Sequence, residues 1–282
     1  MKKIRLPKKA ALALSVTGVI LALLLTAVWG FFAYIQAHKI YPYGYHRYDG
    51  NATTRYVADG GYANAYPEDT AEAFIAAGET DFFFAVKTSL RRTKDGVWVC
   101  CRNDTPFTDA SVRISASTYD EIKELPLNVS NAREGADRSH EYVLTTYELY
   151  LDIVAHYDKG ALIEITGTYA ADELKSVVSA AIQKIGYRDL TLMSSFLASL
   201  EAVAACDPYV RTVVTAPNAL LAYAYTQMNH SVALNVKLCS EATVRRAHKA
   251  QTAVFVCDVD TPALAAQAVE KNVDFILTAG VL

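Results

Sequence analysis

Four cationic residues, Lys87, Arg91, Arg92 and Arg102, stand in or just beyond two apolar, strand-like runs, Phe82–Ser89 and Val97–Cys101. Ammonium and guanidinium groups gathered at one end of a sheet can hold a phosphate or another anionic headgroup through charge-assisted hydrogen bonds; Arg91 and Arg92 read equally well as solvated edge charges. Four carboxylates, Asp59, Asp104, Glu164 and Asp258, could together offer oxygen ligands to a hard divalent cation. Asp258-Val-Asp260, after the seventh run, could line the mouth, and ordinary turn chemistry accounts for it as well. His46, His140, His156, His230 and His248 fall in a linker, a polar insertion or helical segments. The five cysteines (Cys100, Cys101, Cys206, Cys239 and Cys257) are odd in number, show no C-x-x-C spacing and read as small buried hydrophobes rather than as disulfides or metal ligands. A net charge of −3 gives no electrostatic case for nucleic acid.

These residues must be positioned by a regular alternation. Short β-branched or aromatic runs recur at Arg55–Ala58, Phe82–Ser89, Ala161–Thr166, Leu190–Ser194, Arg211–Thr215, Val232–Val236, Ala253–Val259 and Phe275–Thr278. Between them lie amphipathic stretches: Asp69–Ala77, Ala171–Ile185, Ala198–Ala205, Ala216–Met228, Glu241–Ala250 and Pro262–Lys271. Strands alternating with helices imply βαβ units and a parallel sheet, and nearly continuous apolar strands imply that both faces are covered. Eight such runs predict an α/β fold, a closed (β/α)8 TIM-type barrel. An open doubly wound sheet is the other candidate, but no G-x-G-x-x-G follows the first strand. Val97–Cys101 follows its neighbour too closely for a parallel crossover, so it is expected to pair antiparallel through Asp95-Gly96 as a hairpin. The stretch from Pro106 to Thr146 lacks the rhythm and reads as an insertion over the barrel mouth, followed by a helix from Thr146 to His156.

The first residues are of another kind. Lys2, Lys3, Arg5, Lys8 and Lys9 form a basic cluster, and no charged residue then occurs from Ala10 to Ala37. About 20 apolar helical residues suffice to cross a bilayer. The cluster predicts a cytoplasmic N-terminus with the rest of the chain outside, and Trp29, Phe31, Phe32 and Tyr34 suit the far interface. A cleaved signal peptide is the competing reading, but its apolar region would be shorter and would end in small residues spaced A-x-A. Residues 1–38 are therefore expected to be a cytoplasmic tail and single-pass plasma-membrane anchor, 39–54 a Tyr-rich linker, and 55–282 one extracytoplasmic domain.

Several pieces of that domain carry a resemblance: Val57-Ala-Asp-Gly-Gly61, Tyr66-Pro-Glu-Asp-Thr70, Ala73-Phe74, Thr93-Lys-Asp-Gly96, Leu162-Ile-Glu-Ile165, Met193-Ser-Ser-Phe196 and Asn272-Val-Asp-Phe-Ile-Leu-Thr278. In this order and spacing the chain resembles the glycerophosphodiester phosphodiesterases, whose corresponding pieces read A-H-R-G-G, P-E-N-T, A-F, T-K-D-G, I-E-I-K, S-S-F and G-V-D-x-I-x-T-D. The resemblance implies the barrel fold. It also implies hydrolysis of glycerophosphodiesters to an alcohol and glycerol 3-phosphate, with Ca²⁺ or Mg²⁺ neutralising phosphoryl charge and two histidines as general acid and base.

Carried over residue by residue, however, the family's His-Arg pair falls on Ala58 and Asp59, and its second His-Asp pair on Arg102 and Asn103. Two of the metal carboxylates fall on Lys87 and Ser89, and the third is kept as Glu164. The lysine after it falls on Thr166 and the last strand's aspartate on Ala279. A slip by one residue, onto Val86 and Thr88 or onto Cys101 and Arg102, restores nothing. The expectation is thus a pseudoenzyme with no cofactor that holds an anionic glycerophosphate-type ligand through Asp59, Lys87, Ser89, Arg102 and Glu164, or that engages a membrane-protein partner, with the Pro106–Thr146 insertion or an outer helix carrying the contact in a pure interaction module. A divergent but active Ca²⁺- or Mg²⁺-dependent diester hydrolase, using Asp59, Asp104, Glu164 and Asp258, is the alternative. A carboxylate facing a partly dry mouth needs a cation, so Lys87–Glu164 and Asp59–Arg102 are expected to be ion pairs.

Overall fold

The computed structural model describes residues 8–39 and 53–281, so Lys2, Lys3, Arg5 and the linker tyrosines lie outside the described residues. Two compact units divide the chain, residues 1–40 and 41–282. In the first, a single helix, α1 (Lys8–Ala37), contains a stretch, Val16–Ala37, long and apolar enough to cross a membrane by length and composition.

The second unit is a closed barrel. Eight parallel strands form its wall: β1 (Arg55–Asp59), β2 (Ala85–Arg92), β5 (Gly160–Ile165), β6 (Leu190–Ser194), β7 (Arg211–Thr215), β8 (Ser231–Asn235), β9 (Val254–Cys257) and β10 (Phe275–Thr278). β1 pairs with both β10 and β2, which closes the ring. The open-sheet alternative is thereby set aside. Alternation along the strands separates two apolar layers. Val57, Ala85, Leu162, Met193, Val213, Ala233, Phe255, Phe275 and Leu277 fill the barrel interior. Ala58, Val86, Ile163 and Leu192 face outward onto the helices, where Phe74 and Tyr150 are also buried. Tyr150 loses no hydrogen bond there, because its hydroxyl donates to the Val86 carbonyl at 2.7 Å. All four buried apolar clusters draw only on residues beyond Tyr56, so the barrel contains its own core.

The outer helices begin where capping residues stop the chain from extending. Thr70 caps α2 (Ala71–Gly78), Thr146 caps α4 (Tyr147–His156), Asn218 caps α7 (Ala219–Gln227), Ser240 caps α8 (Glu241–Lys249) and Thr261 caps α9 (Pro262–Glu270). The two remaining wall helices are α5 (Ala171–Ile185) and α6 (Leu197–Cys206). Asp69, expected inside α2, instead precedes its cap with φ of 63°.

The second strand departs most from expectation. It starts at Ala85, not Phe82, and runs on to Arg92. The reason is aromatic packing: Phe82 lies on Tyr56 and Phe83 on Tyr62, so these rings turn the chain before the strand begins. Its last residues leave the wall and pair antiparallel with β3 (Trp98–Cys100), in register Leu90↔Cys100, Arg91↔Val99 and Arg92↔Trp98. A short strand unforeseen in the sequence, β4 (Thr145–Thr146), pairs with β3. Between β3 and β4 the insertion encloses a small core of Val99, Cys101, Phe107, Ile114, Ile122 and Leu144 and carries one short helix, α3 (Tyr119–Ile122).

Candidate functional site

The mouth of the barrel, at the C-terminal ends of the strands, is where β1, β2 and β5 bring charged side chains together. Lys87 is nearly inaccessible, and its Nζ lies 2.9 Å from Asp59 Oδ1 and 2.8 Å from Glu164 Oε2. Arg102, just past β3, reaches back to the same Asp59 Oδ1 at 3.3 Å. Ser89 Oγ donates to Glu164 Oε2 at 3.1 Å. Both expected ion pairs are present, and Lys87 makes a further one to Asp59 that the sequence did not suggest. Burial alone would raise the Asp59 and Glu164 carboxyls; Lys87, with Arg102, outweighs it and holds both below the usual carboxylate range. Burial alone would lower the Lys87 ammonium; Asp59 and Glu164 keep it charged.

A second charged layer was not foreseen. Asp69 is buried, and its Oδ1 accepts from Thr88 Oγ1 at 2.9 Å and from the Ser89 amide at 3.2 Å. Burial, then repulsion from Glu68, pushes its carboxyl up to about 6. The signal for it was Pro67-Glu-Asp-Thr70, which carries an aspartate where the resembling motif has asparagine. Glu68 and Asp69 line one side of a cleft of about 440 Å³; Cys101, Arg102 and Asn103 and the insertion's Asn128, Asn131 and Arg133 line the rest.

The other expected residues are placed as follows. Ala58 faces the helix layer, away from the mouth. Asn103 is exposed, and its backbone carbonyl accepts from Cys101 Sγ. Arg91 gives two hydrogen bonds, 2.9 and 2.6 Å, to the Arg102 carbonyl, and so serves the hairpin. Arg92 is drawn 2.8 Å to Glu173 on α5 and does not face the mouth. Arg133 pairs with Asp260 at 2.9 Å. The four cations expected to grip an anion are therefore not gathered for one. Around Arg102 lie Asp59, Glu68, Glu164 and Asp69, whose charges, against the opposing effect of burial, strengthen its hold on its proton. Lys87 and Arg102 are thus set among Asp59, Glu68, Asp69 and Glu164 at the mouth.

Nor is the alternative metal set assembled. Asp104 is engaged by Arg113 at 3.0 Å and Ser115 at 2.7 Å, and Asp258 by Asn235 at 2.5 Å. Among the described residues no group of three or more His, Cys, Asp or Glu side chains is arranged to hold a metal ion. The positions that the resemblance assigns to a divalent cation do not fit one. Two of the three are not carboxylates, and the remaining Glu164 already receives an ammonium and a hydroxyl. Burial pushes the nearby Cys101 and Cys257 thiols up to about 12, which disfavours their thiolate forms.

The chain matches the Glycerophosphoryl diester phosphodiesterase family over residues 61–281, and it belongs to that family. Its fold is shared with solved structures at low identity. A Silicibacter pomeroyi protein assigned as a glycerophosphoryl diester phosphodiesterase aligns at TM-score 0.70 and 19% identity, covering 84% of this chain and 92% of that one. A phosphodiesterase of Oleispira antarctica, solved with its product sn-glycerol-3-phosphate, aligns at 0.65 and 14%, covering 80% and 93%. A glycerophosphodiester phosphodiesterase of Agrobacterium tumefaciens aligns at 0.65 and 17%, covering 81% and 97%. No protein of curated function matches the chain by sequence.

Proposed function

We propose that this chain is a membrane-anchored, extracytoplasmic member of the family that does not perform metal-dependent diester hydrolysis and acts as a binding or recruiting module at the membrane surface. The observation that carries the reading is the position of Lys87 Nζ, within 2.9 Å of both Asp59 and Glu164. A tethered ammonium supplies the positive charge that Glu164 requires, and a divalent ion would have to displace it from two carboxylates. The proton-transfer positions support the same conclusion. Ala58 carries no titratable group, and the guanidinium of Arg102 cannot act as a base near neutral pH.

The apolar stretch Val16–Ala37 supports the anchor, and the basic residues before it support a cytoplasmic N-terminus by the positive-inside rule.

One observation favours a second reading, an active diester hydrolase with a divergent site. Asp69 titrates near pH 6 beside the cleft, where a general acid or base would be useful. Calorimetry of residues 40–282 with Ca²⁺, Mg²⁺ and Mn²⁺, followed by a glycerophosphodiester hydrolysis assay with and without chelator, separates the two. The first reading expects no binding at millimolar metal and no turnover. Tight binding abolished by Glu164→Ala, or turnover abolished by Asp69→Asn, establishes the second.

A further inference from the structure

Three neighbouring strands, β6, β7 and β8, end in loops that share one side of the barrel mouth. Each loop leads to a large, solvent-exposed apolar side chain: Phe196 (45% exposed) after β6, Leu220 (70%) in the first turn of α7, and Leu238 (38%) after β8. An isolated exposed apolar residue needs no explanation; three on adjoining loops do. The loops themselves, residues 195–196, 216–218 and 236–240, contain no acidic residue, and their one charge is Lys237. Tyr223 lies three residues beyond Leu220, on the same face of α7, and the Arg246 guanidinium of α8 sits 4.8 Å over its ring. The carboxylates on this side, Glu241 and Glu201, are outnumbered by Lys237, Arg245 and Arg246.

The layering is therefore apolar at the rim, then aromatic and cationic one helical turn below. Interfacial protein segments show this order: apolar side chains enter the headgroup–acyl boundary while tyrosine and arginine remain at headgroup level. We infer that the rim formed by the loops after β6, β7 and β8 seats on the surface of a lipid bilayer containing anionic lipid. Residues 40–53, between the apolar helix and β1 in the sequence, are a chain length of up to about 45 Å. The inference rests on the barrel lying outside its membrane anchor, and not on the silence of the site. Metal binding and hydrolysis therefore test that silence separately.

The experiment uses residues 53–282, which retain every buried cluster and omit both α1 and the linker tyrosines, with vesicles of phosphatidylcholine alone or with 30% phosphatidylglycerol (about one lipid in three, enough to attract juxtamembrane cations). Sedimentation is expected with the anionic vesicles and at least about tenfold more weakly without phosphatidylglycerol. Phe196→Asp with Leu220→Asp is expected to weaken binding at least about tenfold. Leu149→Asp, an equally exposed position on α4, is expected to leave it unchanged. In Leu220→Trp the only other tryptophan of the fragment is the buried Trp98. Its emission should shift to the blue on anionic vesicles and be quenched by brominated lipid, a readout that holds even where the aspartate variants fold poorly. An unshifted, unquenched Leu220→Trp emission overturns the inference. So does a concentration-dependent dimer that Leu220→Asp abolishes in the absence of vesicle binding, which would assign the rim to a second copy.

Discussion

Lys87 and Glu164 meet at 2.8 Å although they are not partners in the sheet: Lys87 is in register with Leu162, and Glu164 with Ser89. The side chains lean diagonally across the β2–β5 pair, and Lys87 spans to β1 on its other side through Asp59. Removing the ammonium leaves two largely buried carboxylates without their shared cation. Lys87→Met is expected to lower stability by about 3 kcal/mol, the lower end for breaking a buried pair, because both carboxylates keep some access to water. Urea unfolding checks this. In a double-mutant cycle, Glu164→Gln in the Lys87→Met background should cost much less than in the native chain.

Rebuilding the carboxylates should create an ion site. Lys87→Glu with Ser89→Asp would place two new carboxylates beside Glu164 and Asp59. Millimolar Ca²⁺ is expected to raise the melting temperature of this variant by roughly 5 °C, the effect of about 2 kcal/mol of linked binding in a domain of this size. The native chain should not respond, and Glu164→Gln in the variant should remove the effect.

Asp69 makes a prediction of opposite sign to its neighbours. Its folded-state carboxyl is raised from 3.8 to about 6, so the native state favours the protonated form. The stability this provides is complete below about pH 4 and is lost as pH rises through 6, a difference of up to ~3 kcal/mol for about 2.2 units. Asp59 and Glu164 are lowered, and their contribution is present at neutral pH and lost in acid. Asp69→Asn keeps an oxygen acceptor for Thr88 and Ser89 and tolerates φ of 63°. It is expected to be more stable than the native chain at pH 7.5 and equal to it near pH 4. Thermal melts of the two proteins across that range decide.

Gly61 tests the turn that carries Asp59 toward α2. Its φ is 80°, and a Cβ there would lie 2.6 Å from the Ala73 backbone. Gly61→Ala is expected to cost at least about 2 kcal/mol, combining left-handed strain with a backbone clash, as read by urea unfolding.

The anchor has its own test. The full-length chain is expected to stay with membranes through alkaline carbonate extraction and to retain Met1 by intact mass. A truncated mass beginning between residues 25 and 40 would identify α1 as a cleaved signal sequence.

The barrel was legible because eight apolar runs alternated with capped amphipathic segments, and closure adds only the β1–β2 and β1–β10 pairings. β2 was misplaced because Phe82, Phe83 and Phe84 have strand-like composition but are occupied with ring packing, a tertiary effect that no local pattern reveals. The Lys87–Glu164 and Asp59–Arg102 pairs could be inferred from charge compensation. Arg92 could not, because its partner Glu173 lies 81 positions away on a helix that nothing in the local sequence connects to it. Asp69 was hidden for a related reason: it sits beside a cap and looked helical, and only the left-handed turn at its backbone aims its carboxylate under β2.

The bridge made by Lys87 also changes what the barrel requires of its surroundings. A bound ion comes and goes with its concentration, and a mouth closed by one loosens when that ion is scarce. Here the positive centre is covalently part of β2, so chelators cannot extract it and dilution cannot remove it. The junction of β1, β2 and β5 stays neutralised whatever the ionic composition around it.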